Sequence, residues 1–205
     1  GKAWDVVLSL SEALEVKDAY TIGHSHKVAR IAVSIGRCLE LSGEQLAQLE
    51  QAALAHDIGK IGINDHILSK PSALNKMEWE AVRKHPQNGY DILSKGNIDE
   101  AVLFGILQHH ENFDGSGYPS GLKGEEIGLF ARIIRIADSH DAMTSDRPYR
   151  KGMSIPVVIE MLQKEAGRQF DPHILKIFLK GIDSGTLIPS FPMSLSSPVV
   201  CRLPS

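Results

Sequence analysis

The amino-acid sequence predicts an all-α fold, and three observations support this prediction. Apolar residues recur with helical spacing along most of the 205 residues, and no convincing run alternates between apolar and polar positions as a half-buried strand does. Capping-box patterns precede two of the apolar stripes, at Ser42–Gln45 and Asn75–Glu78. Hydrophobic residues make up 42% and charged residues 23% of the chain, which is typical of a globular domain with one core.

Each predicted helix follows from a stripe and its boundary signals. The helices cover residues 3–16, about 21–41, a segment after the Ser42 cap, a segment after the Asn75 cap, about 99–111, 126–145 and 155–166, and about 171–180. The helix after Asn75 must stop near His85, because a residue that precedes a proline disfavours helical geometry. Asp171 and Pro172 form an N-cap with proline at the first helical position, which opens the last helix.

The chain divides into three predicted parts. Residues 1–19 form an N-terminal helix that could be the end of a connector from an upstream domain, because the chain starts abruptly in a helical segment. Residues 20–182 form the main domain, and residues 183–205 form a Pro- and Ser-rich extension. Within the main domain, the glycine-rich segment 112–124 predicts a long loop, and such loops are often functional.

Charge and cysteine content restrict the partners and the compartment. The net charge of −3 gives no basic surface for duplex nucleic acid. No apolar run is long enough to span a bilayer, and no signal peptide is visible. The two cysteines form no disulfide framework and fit a reducing compartment. We therefore expect a cytoplasmic location, with no nucleic-acid partner and no membrane insertion of this segment.

The ligand-type residues give the strongest functional signal. Seven candidate metal ligands, none of them a cysteine, are His24, His56, Asp57, His85, His109, His110 and Asp138. Imidazole and carboxylate without thiolate are typical of Mn, Fe, Ni or Zn sites that perform hydrolysis or redox chemistry. Seven ligands are too many for one ion, so the sequence predicts a polynuclear centre.

Helical position separates these candidates from ordinary histidines. His56 and Asp57 continue an apolar stripe, and His109 and Asp138 lie on the apolar sides of their segments. A single inward histidine is usually a hydrogen-bonded core residue, but a buried unpaired carboxylate costs several kcal/mol. Several such groups together therefore favour a metal cluster. The remaining histidines, which lie on mostly polar faces and are predicted to be solvated, are His26, His66, His140 and His173.

Three ordered motifs resemble the HD-GYP domains of bacterial signalling. They are HDIGK at 56–60, HHE at 109–111 and DGSGYP at 114–119, and the likeness extends from about Tyr20 to Phe178, including DRPYR at 146–150. The resemblance implies an all-α bundle of the HD superfamily with a Gly-rich GYP loop. It also implies the metal-dependent hydrolysis of cyclic di-GMP to pGpG or onward to GMP.

The resemblance assigns the ligands to two ions. By position, the metal ligands shared across HD domains are His24, His56, Asp57 and Asp138, and the ligands of the second ion are His85, His109 and His110, with Asp57 bridging both. Some members use a glutamate for a third ion at the position of Tyr20, so we expect two. Iron is the expected metal and manganese the alternative, and zinc or nickel would also suit these ligands.

The resemblance also assigns catalytic and substrate-binding roles. Two cations would activate a water and clamp the phosphoryl oxygens; Asp57 would hold this water, and Lys60 would contact the scissile phosphate. Arg147 and Arg150 match positions that hold the other phosphate or a guanine, although both could serve only as helix-end charges. Tyr118 could stack on guanine or could simply anchor its own loop.

Three functions remain open at this point. The first is a cyclic di-GMP phosphodiesterase, the second is a hydrolase of another cyclic dinucleotide such as cyclic GMP-AMP, and the third is a non-catalytic module that binds a ligand or a partner. Complete metal and GYP motifs argue against the third. The expected partners, besides cyclic di-GMP, are a diguanylate cyclase with its GGDEF domain or an upstream sensor or receiver domain. A homodimer formed through the first helix is also compatible with the sequence.

Overall fold

The computed structural model describes residues 2–17, 22–146, 150–185 and 187, with side chains from Trp4 onward in the first range. Within these ranges the chain folds into helices joined by loops. Extended backbone pairs there in isolated bridges, such as Asp114 with Lys123 and Ala166 with Phe170, and not in named strands. The prediction of an all-α fold is therefore confirmed.

The α-helices are numbered along the chain: α1 (Lys2–Lys17), α2 (His24–Cys38), α3 (Gly43–Ala55), α4 (Asp65–Leu68), α5 (Lys76–Val82), α6 (His85–Leu93), α7 (Glu100–Gln108), α8 (Leu129–Thr144), α9 (Ile155–Lys164) and α10 (Pro172–Asp183). Two short 3-10 helices cover Ile58–Gly62 and Gly124–Glu126.

The capping predictions are confirmed at the starts of α3 and α5. Ser42 and Gln45 form a complete capping box, and so do Asn75 and Glu78. The boundary at Pro86 was only partly predicted. A helix does end before it, at Val82, but a proline in the first turn also opens α6. The fixed φ of proline suits the first turn of a helix, so this residue marks both an end and a start.

The core lies between α2, α3, α7 and α8. Helix α2 packs on α3 and α8, and α7 packs on the same two helices. Fully buried side chains from all four helices meet there, among them Ile35, Leu49, Ile106 and Ile134. Helix α6 packs against the 3-10 helix that follows α3. This arrangement brings the C-terminal ends of α3 and α7 close to the N-terminal ends of α2 and α6.

Helix α1 is tied to the start of α2 through Glu15. This side chain is 9% exposed, and its two carboxylate oxygens accept hydrogen bonds from the backbone N–H groups of Gly23 and Ser25, each at 2.7 Å. These are N–H groups at a helix start that have no acceptor within the helix. The division at residue 19 stays a prediction, and most of the extension 183–205 lies outside the described residues.

Among the helices described, none combines the length and the apolar character that are needed to cross a bilayer.

We predict that Glu15→Ala lowers the free energy of unfolding by about 1–3 kcal/mol, because a buried N–H group and a partly buried one lose their acceptor. Chemical denaturation followed by circular dichroism measures this change. The matched control is Glu12→Ala, which removes a carboxylate of the same helix whose only described ion pair is an exposed one with His26, and it should change stability by less than about 0.5 kcal/mol. Equal effects of the two variants would contradict the capping role of Glu15.

Candidate metal centre

The fold brings all seven predicted ligand residues to one buried region, and most of them lie at helix ends. His24 and His85 are the first residues of α2 and α6, and Asp138 lies within α8. The two dipeptides His56–Asp57 and His109–His110 directly follow the last residues of α3 and α7. The ligand candidates therefore occupy the positions where the ends of these helices meet.

The candidates form two separate groups, and a third group shares one residue with each of them. His24, His56 and Asp138 make the first group, and His85, His109 and His110 make the second. In each group one ligand atom from every residue lies within 4.8 Å of the others, close enough to hold a metal ion. A third set of the same kind joins Asp57 to one histidine of each group. The arrangement is that of two adjacent sites with Asp57 between them.

Three of the histidines are oriented by the same hydrogen bond. The Nδ1 atoms of His56, His85 and His109 lie 2.6, 2.7 and 2.6 Å from the carbonyl oxygens of Ala53, Val82 and Ile106, respectively. A carbonyl can only accept, so each Nδ1 carries the hydrogen and each Nε2 presents a lone pair. Metal-binding histidines in proteins are commonly held in this way.

The opposing lone pairs of His85 and His109 provide a test of whether a cation fits. Their Nε2 atoms are 3.2 Å apart, and neither carries a hydrogen when its imidazole is neutral with Nδ1 protonated. Two facing lone pairs at this distance repel each other unless a proton or a cation lies between or beside them. The surrounding donors are imidazoles and carboxylates, which are ligands that suit divalent transition metals. The residues therefore fit a metal ion.

Asp57 lies between the two groups. Its Oδ1 is 3.3 Å from Nε2 of His85, and its Oδ2 is 3.5 Å from Nε2 of His56. Nζ of Lys60 donates to the same Oδ2 at 2.7 Å. Burial alone would raise the pKa of Asp57, but Lys60 and the nearby histidines hold that pKa well below its usual range. The carboxylate is thus ionised and faces both groups.

His24 bridges two carboxylates. Its Nε2 lies 3.0 Å from Asp138 Oδ1, and its Nδ1 lies 2.6 Å from Asp141 Oδ2. Burial lowers the pKa of His24, but the two carboxylates outweigh it and raise that pKa to about 10. Asp141 also accepts a hydrogen bond from the Ser145 hydroxyl at 3.0 Å. Through its contact with Nδ1, Asp141 therefore fixes the orientation of the His24 ring.

The second group has a different electrostatic character. Burial lowers the pKa of His110 to about 3 and holds the pKa of His109 well below its usual range. Both imidazoles are therefore neutral at physiological pH, which is the form that binds metal. The first group holds a carboxylate of its own, whereas the second consists of histidines alone.

The loop after His110 is built around Glu111. This buried carboxylate accepts backbone hydrogen bonds from Ser120 at 2.7 Å, Gly121 at 3.2 Å and Leu122 at 3.1 Å. Three N–H groups compensate the cost of burying the charge. The loop thereby folds back over the end of α7, where the second group lies.

Tyr118 sits in this loop and packs against the candidate centre. Its ring stacks on His110 with 4.8 Å between ring centroids and 12° between planes, and the Arg83 guanidinium lies over the ring at 4.5 Å from its centroid. Burial raises the pKa of its hydroxyl to about 12. These contacts favour the interpretation of Tyr118 as an anchor of its loop, and guanine binding stays a prediction.

The remaining predicted site residues are Arg147 and Arg150. The guanidinium of Arg150 donates to the Ala142 carbonyl at 2.7 Å, a contact with the last turns of α8. Arg147 and Tyr20 lie outside the described residues. The predicted substrate contacts of these arginines, and the inference of two ions from Tyr20, therefore stay predictions.

The predicted solvation of His140 is wrong. This residue is 3% exposed and packs edge-on against Phe178 of α10 with 5.3 Å between ring centroids. Helix α8 is covered by α2 on one side and by α9 and α10 on others, so more than one of its faces is buried. His26, His66 and His173 are exposed as predicted.

Sequence reasoning did not single out Arg83, Asp141 or Arg135, whose Nη2 donates to Asn112 Oδ1 at 2.9 Å, and it quoted Glu111 only as the last residue of the HHE motif. A signal existed for two of them. Arg135 and Asp141 lie three residues before and three residues after Asp138 on the same helix, and residues with this spacing share a face. Arg83 and Glu111 act through contacts with the loop, and the motif alone does not specify that Glu111 binds the amides of residues 120–122.

A family model described as HD domain matches residues 9–174 of this chain. A protein of Xanthomonas campestris named cyclic di-GMP phosphodiesterase response regulator RpfG is 39% identical over 175 residues, which are 84% of this chain and 46% of that protein. A protein of Vibrio cholerae named 3'3'-cGAMP-specific phosphodiesterase 3 is 36% identical over 178 residues, which are 87% of this chain and 39% of that protein. The chain thus spans half or less of the length of these relatives.

A solved structure supports the fold. The crystal structure of a cyclic GMP-AMP specific phosphodiesterase of V. cholerae superimposes with a TM-score of 0.69 at 22% identity, over 90% of this chain and 49% of that one.

Gly59 controls how closely α6 approaches the 3-10 helix after α3. A Cβ atom at this position would overlap the backbone of His85 and Gly89, so only glycine lets His85 come near Asp57. We predict that Gly59→Ala lowers the free energy of unfolding by at least about 2 kcal/mol, because both colliding groups are backbone. Denaturant titration measures the change.

The control for this variant is Gly43→Ala, since nothing lies within 4 Å of a Cβ added at the first residue of α3. Its stability should equal or slightly exceed that of the wild type, because alanine favours the helix. A Gly59→Ala protein of normal stability would show that the close approach of α6 is not required.

Proposed function

The chain belongs to the HD domain family, and from this premise we propose that it is a metal-dependent phosphodiesterase that hydrolyses cyclic di-GMP. The observation that carries the proposal is the pair of ligand groups joined by Asp57, with Lys60 beside it. The relatives named as cyclic di-GMP phosphodiesterases, at 39% and 40% identity, support this substrate. The resemblance of the motifs to HD-GYP domains implies the same activity that the names of these relatives give.

We propose that the chain holds two divalent ions. HD domains imply divalent-metal binding, and His24, His56 and Asp138 would hold one ion, while His85, His109 and His110 would hold the other, with Asp57 shared. Such ions lower the pKa of a water and polarise phosphoryl oxygens. Iron is the metal we favour and manganese the alternative, because neutral imidazoles and carboxylates suit both.

The remaining chemistry belongs to side chains of the protein. The two carboxylate oxygens of Asp57 face different groups, so its carboxylate can orient a water for attack on phosphorus in line with the leaving 3′ oxygen. Lys60 would neutralise charge on the non-bridging oxygens, where fixed positive charge is most effective. Its present partner is Asp57, so the ammonium already lies beside the predicted reaction centre.

A second substrate is supported by a specific observation. Three V. cholerae relatives named 3'3'-cGAMP-specific phosphodiesterases are 33–36% identical to this chain, close to the identity of the relatives named for cyclic di-GMP. The ligand groups serve either substrate, because both contain the same phosphodiester links. The choice between them depends on contacts with the bases, so hydrolysis of 3'3'-cGAMP is the alternative function.

We further propose a signalling context for the domain. The Xanthomonas relative is named as a response regulator, and this chain matches less than half of it. That supports an upstream receiver or sensor domain as a partner. A diguanylate cyclase and a second copy of this chain are further candidates, and the bacterial cytoplasm is the compartment that we expect.

We predict that Asp141→Asn weakens metal binding by about 10- to 100-fold, because the residue that orients a metal-binding histidine through Nδ1 loses its charge. Isothermal titration with Mn²⁺ measures the affinity. Asp91→Asn is the control, since that carboxylate is exposed and, among the described residues, accepts a hydrogen bond from Gln87 of its own helix alone. Unchanged affinity in Asp141→Asn would contradict the role of Asp141.

The proposed function is tested by anaerobic incubation of Fe- or Mn-loaded protein with cyclic di-GMP, 3'3'-cGAMP and cyclic di-AMP, with products separated by chromatography. We expect cyclic di-GMP to be converted to pGpG or GMP. Asp57→Ala should lose turnover by at least about 10³-fold and lose bound metal. Absence of hydrolysis of all three by metal-loaded protein would overturn the proposal in favour of a binding module, and full activity of Asp57→Ala would overturn the assignment of Asp57.

A further inference from the structure

Arg135 is a cation beside the candidate metal centre that neither the motifs nor the relatives assign. It lies on α8 three residues before Asp138, and it interacts electrostatically with Asp138, His110 and Tyr118. Burial lowers the pKa of its guanidinium, and the Asp138 carboxylate opposes that shift. The charge therefore lies close enough to both ligand groups and to Tyr118 to act on them electrostatically.

The described residues use only part of the hydrogen-bonding capacity of Arg135. A guanidinium has five N–H donors, and within the described residues only Nη2 has a partner, the Asn112 Oδ1 atom at 2.9 Å. Its Nε is buried and has no partner there. A buried donor without a partner, such as this Nε, is costly on a charged group. The hydrogen bond to Asn112 uses one donor of the guanidinium. Its acceptor is a neutral amide, so this bond does not compensate the positive charge.

The charge balance of the centre points to an anion as the missing partner. With two divalent ions bound, the carboxylates of Asp57 and Asp138 neutralise only part of the positive charge, because the five histidines contribute none as neutral ligands. Lys60 and Arg135 add two positive charges, and the neighbouring carboxylates Asp141 and Glu111 offset these two, so the excess from the ions remains. A partly buried region with such an excess needs anionic ligands to be stable. A cyclic dinucleotide supplies one negative charge at each phosphodiester.

We propose that Arg135 binds a non-bridging oxygen of the substrate phosphodiester, on the side of the centre that faces Tyr118. The planar guanidinium fork matches phosphate geometry and favours two parallel hydrogen bonds. Lys60 would act from the side of Asp57, so the phosphodiester would lie between two cations. This inference rests on the proposed function and adds a phosphate-binding residue to it.

The test compares three variants with the wild type, using cyclic di-GMP and the small diester bis(p-nitrophenyl) phosphate, which has no guanine. Arg135→Ala should raise KM for cyclic di-GMP and lower kcat/KM for both substrates by about 10- to 100-fold, because a charge-assisted contact to phosphate is lost. Arg135→Lys should recover part of the loss, since the charge remains without the fork. Metal content and the thermal midpoint should stay at wild-type values in both.

Asn112→Ala is the matched control, because it removes the tie between α8 and the loop and leaves the guanidinium in place. We expect its kcat/KM to fall by less than about threefold. A loss in Asn112→Ala equal to that in Arg135→Ala would overturn the proposal and assign Arg135 a role in holding the loop. A loss confined to cyclic di-GMP would overturn it as well, because the contact would then be with guanine.

The readouts separate this inference from the proposed function. If the wild type hydrolyses cyclic di-GMP and Arg135→Ala does so equally well, only the role of Arg135 is overturned. If the metal-loaded wild type hydrolyses no cyclic dinucleotide but cleaves the small diester, the proposed substrate fails while the phosphate contact is still measured. If the wild type cleaves neither, both proposals fail together.

Discussion

The candidate centre depends on one repeated interaction, the hydrogen bond from a histidine Nδ1 to a carbonyl in the last turn of a preceding helix. The last carbonyls of a helix have no partner within the helix, and a buried carbonyl without a partner is costly. His56, His85 and His109 each satisfy such a carbonyl three residues earlier. The same bond turns each Nε2 toward the centre. One hydrogen bond therefore both satisfies a carbonyl at the end of a helix and orients the ligand atom.

The two ligand groups share this orientation of their histidines but differ in charge. The first group contains Asp138, and its His24 is held between two carboxylates. The second group contains only imidazoles, two of which are kept neutral by burial. Hard, highly charged cations favour carboxylate oxygen over imidazole. The two sites therefore offer different environments, and Asp57, which faces both, is the element that makes them one electrostatic unit.

Much of this arrangement could be predicted from sequence because it follows from local periodicity. The apolar stripes indicated the inward direction of His56, His109 and Asp138, and the capping residues located the starts of α3 and α5. Contacts between distant segments could not be predicted in that way. The carboxylate of Asp141 reaches His24 across more than a hundred residues of chain, and His140 is buried because α10 covers a second face of α8.

The contacts of Glu111 have a consequence for how this chain can vary. The residue directly follows His110, and its carboxylate holds three consecutive amides of the loop, while the Tyr118 amide donates to the His110 carbonyl at 3.2 Å. The segment between these contacts is closed at both ends by the residues that position the second ligand group. An insertion or deletion there would displace a ligand, whereas connections elsewhere on the surface tolerate changes in length. The spacing between HHE and GYP is therefore fixed by geometry, and a homologue with a different spacing would need another way to support its second group.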